Sequence, residues 1–255
     1  MYEINFEKQQ VKRIKPDGTE QDIEISSVNE HFLTIIINDV PVMRLNCTKG
    51  SLRELVAGRL VTEGIIDNPK DIFGIYLCKE QNEASVVLNN DVKWEKKLQT
   101  ELSCCTGNKI TASKSGAVSV EDVRLKKAHW EKEWIFGLTE KFRDETMLHE
   151  KTQGTHTCIL GRGPEILFVS EDIGRHNALD KAIGYAVLEE IPLSECILFT
   201  SGRVPLDMAE KVIRAGVPVM VSKSVPTTDA IELAKKCGLT LICRAWPDSF
   251  ELITG

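Results

Sequence analysis

From residue 155 to the end of the chain, short apolar runs of strand length alternate with amphipathic helical runs, and no other feature constrains the fold as much. E-I-L-F-V-S (165–170) precedes the helical A-L-D-K-A-I-G-Y-A-V-L-E-E (178–190), and C-I-L-F-T-S (196–201) precedes L-D-M-A-E-K-V-I-R-A-G (206–216). V-P-V-M-V-S (217–222) then leads into T-T-D-A-I-E-L-A-K-K-C-G (227–238), and L-T-L-I-C-R (239–244) follows. Such alternation predicts a largely parallel sheet covered by helices on both faces.

The chain changes character near residue 115, so two domains are expected. Residues 1–114 read as a small strand-rich α+β unit and residues 115–255 as a three-layer α/β/α unit. In the first, H-F-L-T-I-I-I-N-D-V-P-V-M-R-L-N-C (31–47) reads as two strands joined at Asn38-Asp39. A helix follows, with Ser51 and Glu54 as a capping box, Leu52, Leu55, Val56 and Leu60 as its apolar face, and Gly64 as its stop. Further strand signals lie at 72–78 and 84–89. A helix at about 130–147 carries Trp130, Trp134, Leu138 and Phe142 at fourfold spacing, a core-packing stripe.

Charge and cysteine usage narrow the class. A net charge of −6 argues against broad binding to nucleic acid or membrane surfaces. No long uncharged apolar run exists, and M-Y-E-I-N-F-E-K-Q-Q lacks the apolar core of a signal peptide, so a cytoplasmic location with reduced thiols is expected. Of the eight cysteines, Cys47, Cys78, Cys158, Cys196, Cys237 and Cys243 stand alone, mostly among apolar neighbours, and read as core filling. Without C-x₂-C pairs, no structural metal is expected. Cys104 and Cys105 differ: E-L-S-C-C-T-G-N-K-I (101–110) has no apolar periodicity and is rich in turn residues. The pair is a poor chelate. It is either a reactive thiol site, with Lys109 and Lys114 near enough in sequence to favour a thiolate, or a strained vicinal disulfide.

In an open α/β sheet, ligands bind where strand ends lead into helix N-termini. Three such junctions are unusually polar: S-E-D-I-G-R-H-N-A-L-D-K (170–181), T-S-G-R-V-P-L-D (200–207) and S-K-S-V-P-T-T-D (222–229). Helix N-termini with Arg175 and Arg203 suit phosphate, while Ser201, Thr227 and Thr228 also suit plain capping. His176 is either structural or part of a site with Asp172. His156, in G-T-H-T-C, has no glutamate two residues on and no later P-C-x-x-C, which argues against a hydrolytic zinc deaminase.

Together Q-G-T-H-T-C, S-E-D-I-G-R-H-N-A-L-D-K-A, T-S-G-R-V-P-L-D-M-A-E-K, A-G-V-P-V-M-V-S-K-S-V-P-T-T-D-A-I-E-L-A and G-L-T-L-I-C-R closely resemble the formate dehydrogenase accessory sulfurtransferase (FdhD) family, strongly over 154–244. The resemblance implies a cytidine-deaminase-like second domain without the zinc site. It also implies a homodimeric sulfurtransferase that moves persulfide sulfur from a cysteine desulfurase to a molybdenum or tungsten bis-pterin guanine dinucleotide cofactor, readying it for formate dehydrogenase. By position Cys104 matches the first cysteine of the family's C-x-x-C-type loop. This chain has C-C-T-G there, so the family's second cysteine has no equivalent at the same spacing, and Cys105 either substitutes for it or is dispensable. The cofactor contacts implied are His156, Asp172, Arg175, His176, Ser201, Arg203 and Thr227, with Arg244, Ala245, Trp246, Pro247, Asp248 and Ser249, a stretch that lacks the family's usual glycine. Two other classes stay open: a non-catalytic chaperone that holds the cofactor or the dehydrogenase, and a nucleotide-binding enzyme of unrelated chemistry.

Overall fold

The computed structural model of the chain describes residues 6–89, 94–98, 110–114, 119–144 and 146–255. A two-stranded ribbon comes first, β1 (Phe6–Ile14) and β2 (Glu20–Val28), closed by Pro16-Asp17-Gly18 with Gly18 at φ 80. Then β3 (His31–Ile37), β4 (Val40–Cys47), α1 (Leu52–Thr62), β5 (Ile72–Leu77) and β6 (Glu83–Leu88) build a mixed four-stranded sheet of order β4-β3-β6-β5 and the helix beside it. The β3–β4 turn falls at Asn38-Asp39 as expected, with both residues at positive φ, the backbone of a tight hairpin.

Helix α1 starts differently from expectation. Ser51 sits in the left-handed region (φ 48) and its side chain makes no capping bond, so the Ser51–Glu54 capping box does not form. An N-cap side chain reaches the first-turn N–H groups from an extended backbone, which Ser51 does not have. Gly64 does terminate the helix, at φ 68.

A second antiparallel ribbon, β7 (Trp94–Leu98) with β8 (Ile110–Lys114), flanks residues 99–109. The expected helix at 130–147 is two helices, α2 (Lys132–Asp144) and α3 (Met147–Thr152). The remaining elements are β9 (His156–Arg162), β10 (Glu165–Asp172), α4 (Arg175–Leu188), β11 (Ile197–Thr200), α5 (Leu206–Arg214), β12 (Val219–Ser222), α6 (Thr228–Cys237), β13 (Thr240–Cys243) and β14 (Glu251–Thr254).

Their sheet has the order β10-β9-β11-β12-β13-β14, and it is mixed rather than largely parallel. Only β11–β12 and β12–β13 are parallel pairs; β9 runs antiparallel to both neighbours, and β14 to β13. The reason is connection length. Gly163-Pro164, with Gly163 at φ 58, joins β9 to β10 as a tight hairpin, and the segment 244–250 is too short for a helical crossover before β14. Alternate residues of the central strands face two cores. Leu160, Leu198, Met220 and Leu241 pack beneath α4, α5 and α6, whereas Ile159, Phe199, Val221 and Ile242 pack against Ile135, Leu138 and Phe142 of α2. Helices therefore cover both faces, and the tryptophan stripe flanks the α2 core, with Trp130 and Trp134 half-buried at its margin.

The first core runs without a break from Leu33, Ile35 and Ile37 of β3 through α1 to α4 and the large sheet. Its tightest point is the α1–α4 crossing. A Cβ on Gly58 would lie 1.8 Å from the Asp180 carbonyl oxygen, and one on Gly184 would lie 1.7 Å from that of Glu54, so only glycines let these backbones meet. Beside the crossing is a buried ionic cluster. Arg59 pairs with Asp180 (3.2 Å) and Glu63 (2.9 Å), and Lys211 of α5 reaches the same two carboxylates at 3.2 and 2.9 Å. Cys47, Cys158, Cys196, Cys237 and Cys243 are buried as expected; Cys78 is half-exposed and donates to Asn82 Oδ1. No helix among the described residues is long and apolar enough to cross a membrane.

Candidate functional site

The strand directions gather the polar junctions at one edge of the large sheet. The parallel strands β11, β12 and β13 end there, and antiparallel β9 begins there, with His156 opposite Asp172 at the end of β10. A cleft of about 540 Å³ opens at this edge, walled by His149, His156, Ser201, Lys223, Phe142 and Trp246 among others. Among the described residues no aspartate or glutamate lines it, in a chain of net charge −6.

His156 and Ser201 form one wall. The Ser201 hydroxyl oxygen accepts the Thr157 N–H (3.0 Å), and its hydroxyl lies 3.4 Å from His156 Nδ1. Burial, followed by the charge of Arg175, pushes the His156 imidazole below its ordinary value, so it stands neutral at pH 7. Gly202 makes room for this arrangement: a Cβ there would lie 3.1 Å from the Cβ of Arg175 and 3.6 Å from His156 Nδ1. Arg175 opens α4 and is not in the cleft lining itself; the N-cap of α4 is Gly174, which offers no capping side chain, and the Arg175 Nε is buried without a hydrogen-bond partner. That donor and the helix N-terminus suit an anion.

Behind this wall the expected residues serve other purposes. His176 is 2% exposed and meets Asp207 Oδ2 at 2.7 Å through Nε2. A carboxylate only accepts, so Nε2 carries the proton. Burial first, with the charges of Lys211 and Arg175, lowers the His176 pKa against the pull of Asp207, and the imidazole is neutral. Asp207 escaped the sequence reading although T-S-G-R-V-P-L-D ends on it. Asp172 is fully buried: its carboxylate pairs with Lys181 (2.7 Å) and accepts the N–H of Thr48 (3.0 Å) and of Gly174 (2.9 Å) and the Asn177 amide (2.9 Å). It latches the start of α4 to the β4–α1 connection.

Parts of the second and third junctions, and the stretch after β13, differ most from expectation. Thr227 is exposed and caps α6, accepting from Ala230 N–H (3.3 Å), and Arg203 is exposed; neither lines the cleft. Arg244 turns outward at φ 45 to Glu251 (3.4 Å), and Ala245 is buried. Trp246 and Ser249 close a turn through a 2.8 Å backbone bond, with Pro247 and Asp248 exposed at its tip. From this stretch only Trp246 enters the cleft wall, and Lys223 of the third junction, which sequence reasoning passed over, lies between it and Phe142. His149 was also missed; its Nδ1 lies 2.6 Å from the Thr155 carbonyl oxygen. Cys104 and Cys105 lie outside the described residues, in the segment between β7 and β8. Among the described residues no three His, Cys, Asp or Glu side chains are grouped to hold a metal ion.

Known proteins bear on this arrangement. The chain is 32% identical over 254 residues to a sulfur carrier protein FdhD of Listeria innocua, spanning 97% of this chain and 96% of that one. It is 31% identical over 251 residues to the protein of the same name from Listeria monocytogenes, with the same coverage. A solved structure described as a formate dehydrogenase accessory protein, from Desulfotalea psychrophila, superposes with a TM-score of 0.80 over 98% of this chain and 97% of that one, at 22% identity, and so shares the fold. The FdhD/NarQ family profile matches residues 28–255, and the chain belongs to that family.

Proposed function

We infer that the chain is a sulfur carrier for formate dehydrogenase maturation, loaded as a persulfide on Cys104. The observation that carries this reading is the state of the five buried thiols, Cys78 alone of the other six being half-exposed. Burial pushes Cys47 and Cys243 up to about 12 and Cys196 up to about 11, and raises Cys158 and Cys237 as well, so these stay protonated and poor as nucleophiles. Cys104 and Cys105 sit instead in a polar stretch with Lys109. In loading, the Cys104 thiolate attacks the terminal sulfur of the desulfurase persulfide; that S–S bond breaks, the desulfurase thiolate leaves, and Cys104 holds the sulfur. In unloading, the acceptor supplies the electron pair for the new bond to sulfur and Cys104 departs as thiolate.

The acceptor we propose is a molybdenum or tungsten bis-pterin guanine dinucleotide, here a substrate rather than a resident cofactor. The cleft supports this reading: no carboxylate of the described residues lines it, and behind its His156 wall stands Arg175 at the start of α4, with an unpartnered Nε. Neutral His156 can take or give a proton beside the transferred sulfur. The test is thermal unfolding with GDP. Protection should follow mass action, about 2.7 kcal/mol at a hundred times the dissociation constant, and no protection at millimolar GDP would remove the nucleotide-ended acceptor.

A further inference from the structure

The cleft holds a cation that the reading above does not use. Lys223 Nζ lies 4.5 Å from the centroid of the Phe142 ring and 4.8 Å from that of Trp246, held between two aromatic faces. Both rings favour the charged ammonium. No carboxylate among the described residues pairs with it, and none lines the cleft. Several other cations of the domain are bound to carboxylates, Lys181 to Asp172, Lys211 to Asp180 and Glu63, and Arg244 to Glu251, whereas Arg175 keeps an unpartnered Nε. Phe142 is 5% exposed, whereas Trp246 is 47% exposed, so one wall of the sandwich is fixed in the core and the other is open to solvent.

We propose that Lys223 is the residue that recognises the ligand's diphosphate, and that the open face of Trp246 is the platform on which the ligand's base stacks. The proposal rests on the nucleotide-ended acceptor inferred above and relocates its phosphate contacts, away from exposed Arg203 and Thr227 and towards Lys223, Arg175 and the start of α4. An ammonium held by rings alone keeps all three N–H donors available, and a diphosphate offers the charge that the aromatic faces cannot neutralise. Burial already lowers the Lys223 pKa, so a bound anion restores what desolvation removes. Drawing the ammonium towards phosphate changes the surroundings of the Trp246 indole, and this makes binding visible in its fluorescence.

Titrate the protein with GDP, inorganic pyrophosphate and guanosine, following intrinsic fluorescence and melting temperature, with Trp246→Phe to identify the reporting indole among Trp94, Trp130 and Trp134. GDP and pyrophosphate should bind the wild type with a signal that Trp246→Phe removes. Lys223→Gln should weaken both by about tenfold or more, the loss of one charge-assisted contact, with Lys223→Arg close to wild type and guanosine indifferent to either change. Wild-type binding of GDP with Lys223→Gln binding equally well would overturn the role of Lys223 alone. Failure of the wild type to bind GDP and pyrophosphate would overturn the nucleotide-ended acceptor as well.

Discussion

Replacing Gly58 by alanine should destabilise the whole molecule. The new methyl would lie 1.8 Å from the Asp180 carbonyl oxygen, 2.6 Å from its carbon and 2.9 Å from the Gly184 nitrogen, all backbone atoms of α4 that cannot rotate away. Ordinary contact between such atoms is about 3.5 Å, so α1 and α4 must part along their crossing. Alanine's better helix propensity returns about 1 kcal/mol. Against that stand an overpacking cost of about 1–3 kcal/mol and the loosening of the buried Arg59–Asp180 pair at 3.2 Å, where an uncompensated charge costs about 3–5 kcal/mol. The net loss should reach about 3 kcal/mol, or roughly 6–12 °C in melting temperature for a chain of this size. Because α4 begins with Arg175 and His176, GDP protection should weaken too. Unfolding followed by circular dichroism measures the effect. A Gly58→Ala protein as stable as wild type, or more so, would refute a backbone contact at this crossing.

Further outcomes follow from the same structure. Asp172→Asn leaves Lys181 buried without its counter-charge and should cost about 3 kcal/mol in urea unfolding; unchanged stability would show that Asp172 is free to serve a ligand. Cys104→Ser should leave stability within about 0.5 kcal/mol while abolishing dehydrogenase maturation, and Cys105→Ser should give a partial defect. A dead Cys105→Ser with an active Cys104→Ser would reverse the two roles. The buried His176 has its pKa depressed below the ordinary 6.5, so the unfolded chain binds the proton more readily. Its contribution to stability is complete above 6.5 and is lost as the pH falls towards its depressed folded value. The urea midpoint should therefore drop between pH 7 and pH 5, more steeply in wild type than in His176→Gln, and parallel profiles would contradict this assignment.

Local chemistry made much of the fold legible. The β3–β4 hairpin could be read from its apolar strands and the Asn38-Asp39 turn, and α2 from its fourfold stripe. What failed depended on pairing. Alternating strands and helices suggested parallel strands, yet Gly163-Pro164 is a hairpin turn in plain view and fixes β9 against β10. The β1–β2 ribbon carries charges on much of its surface, Lys8–Glu24 and Lys12–Glu20 among them, so it lacks the one-sided apolar alternation that marks a strand, although Pro16-Asp17-Gly18 announced its turn. At the sheet edge, the nearness of His156 and Ser201 could be read because both stand where strands of one sheet begin or end. Lys223 was not, because its meaning comes from Phe142, which stands far away in sequence on α2. Asp172 looked like a ligand contact from its polar neighbours, but its partners Thr48 and Lys181 are set by tertiary packing.

The central claim is that Cys104 holds transferred sulfur. Incubate the protein with a cysteine desulfurase and cysteine, digest it without reductant, and locate any added mass of one sulfur atom by mass spectrometry. The account predicts that adduct on the peptide containing Cys104, absent in Cys104→Ser and removed by a thiol reductant. A sulfur adduct confined to another cysteine, or none in a protein that still matures the dehydrogenase, would contradict it.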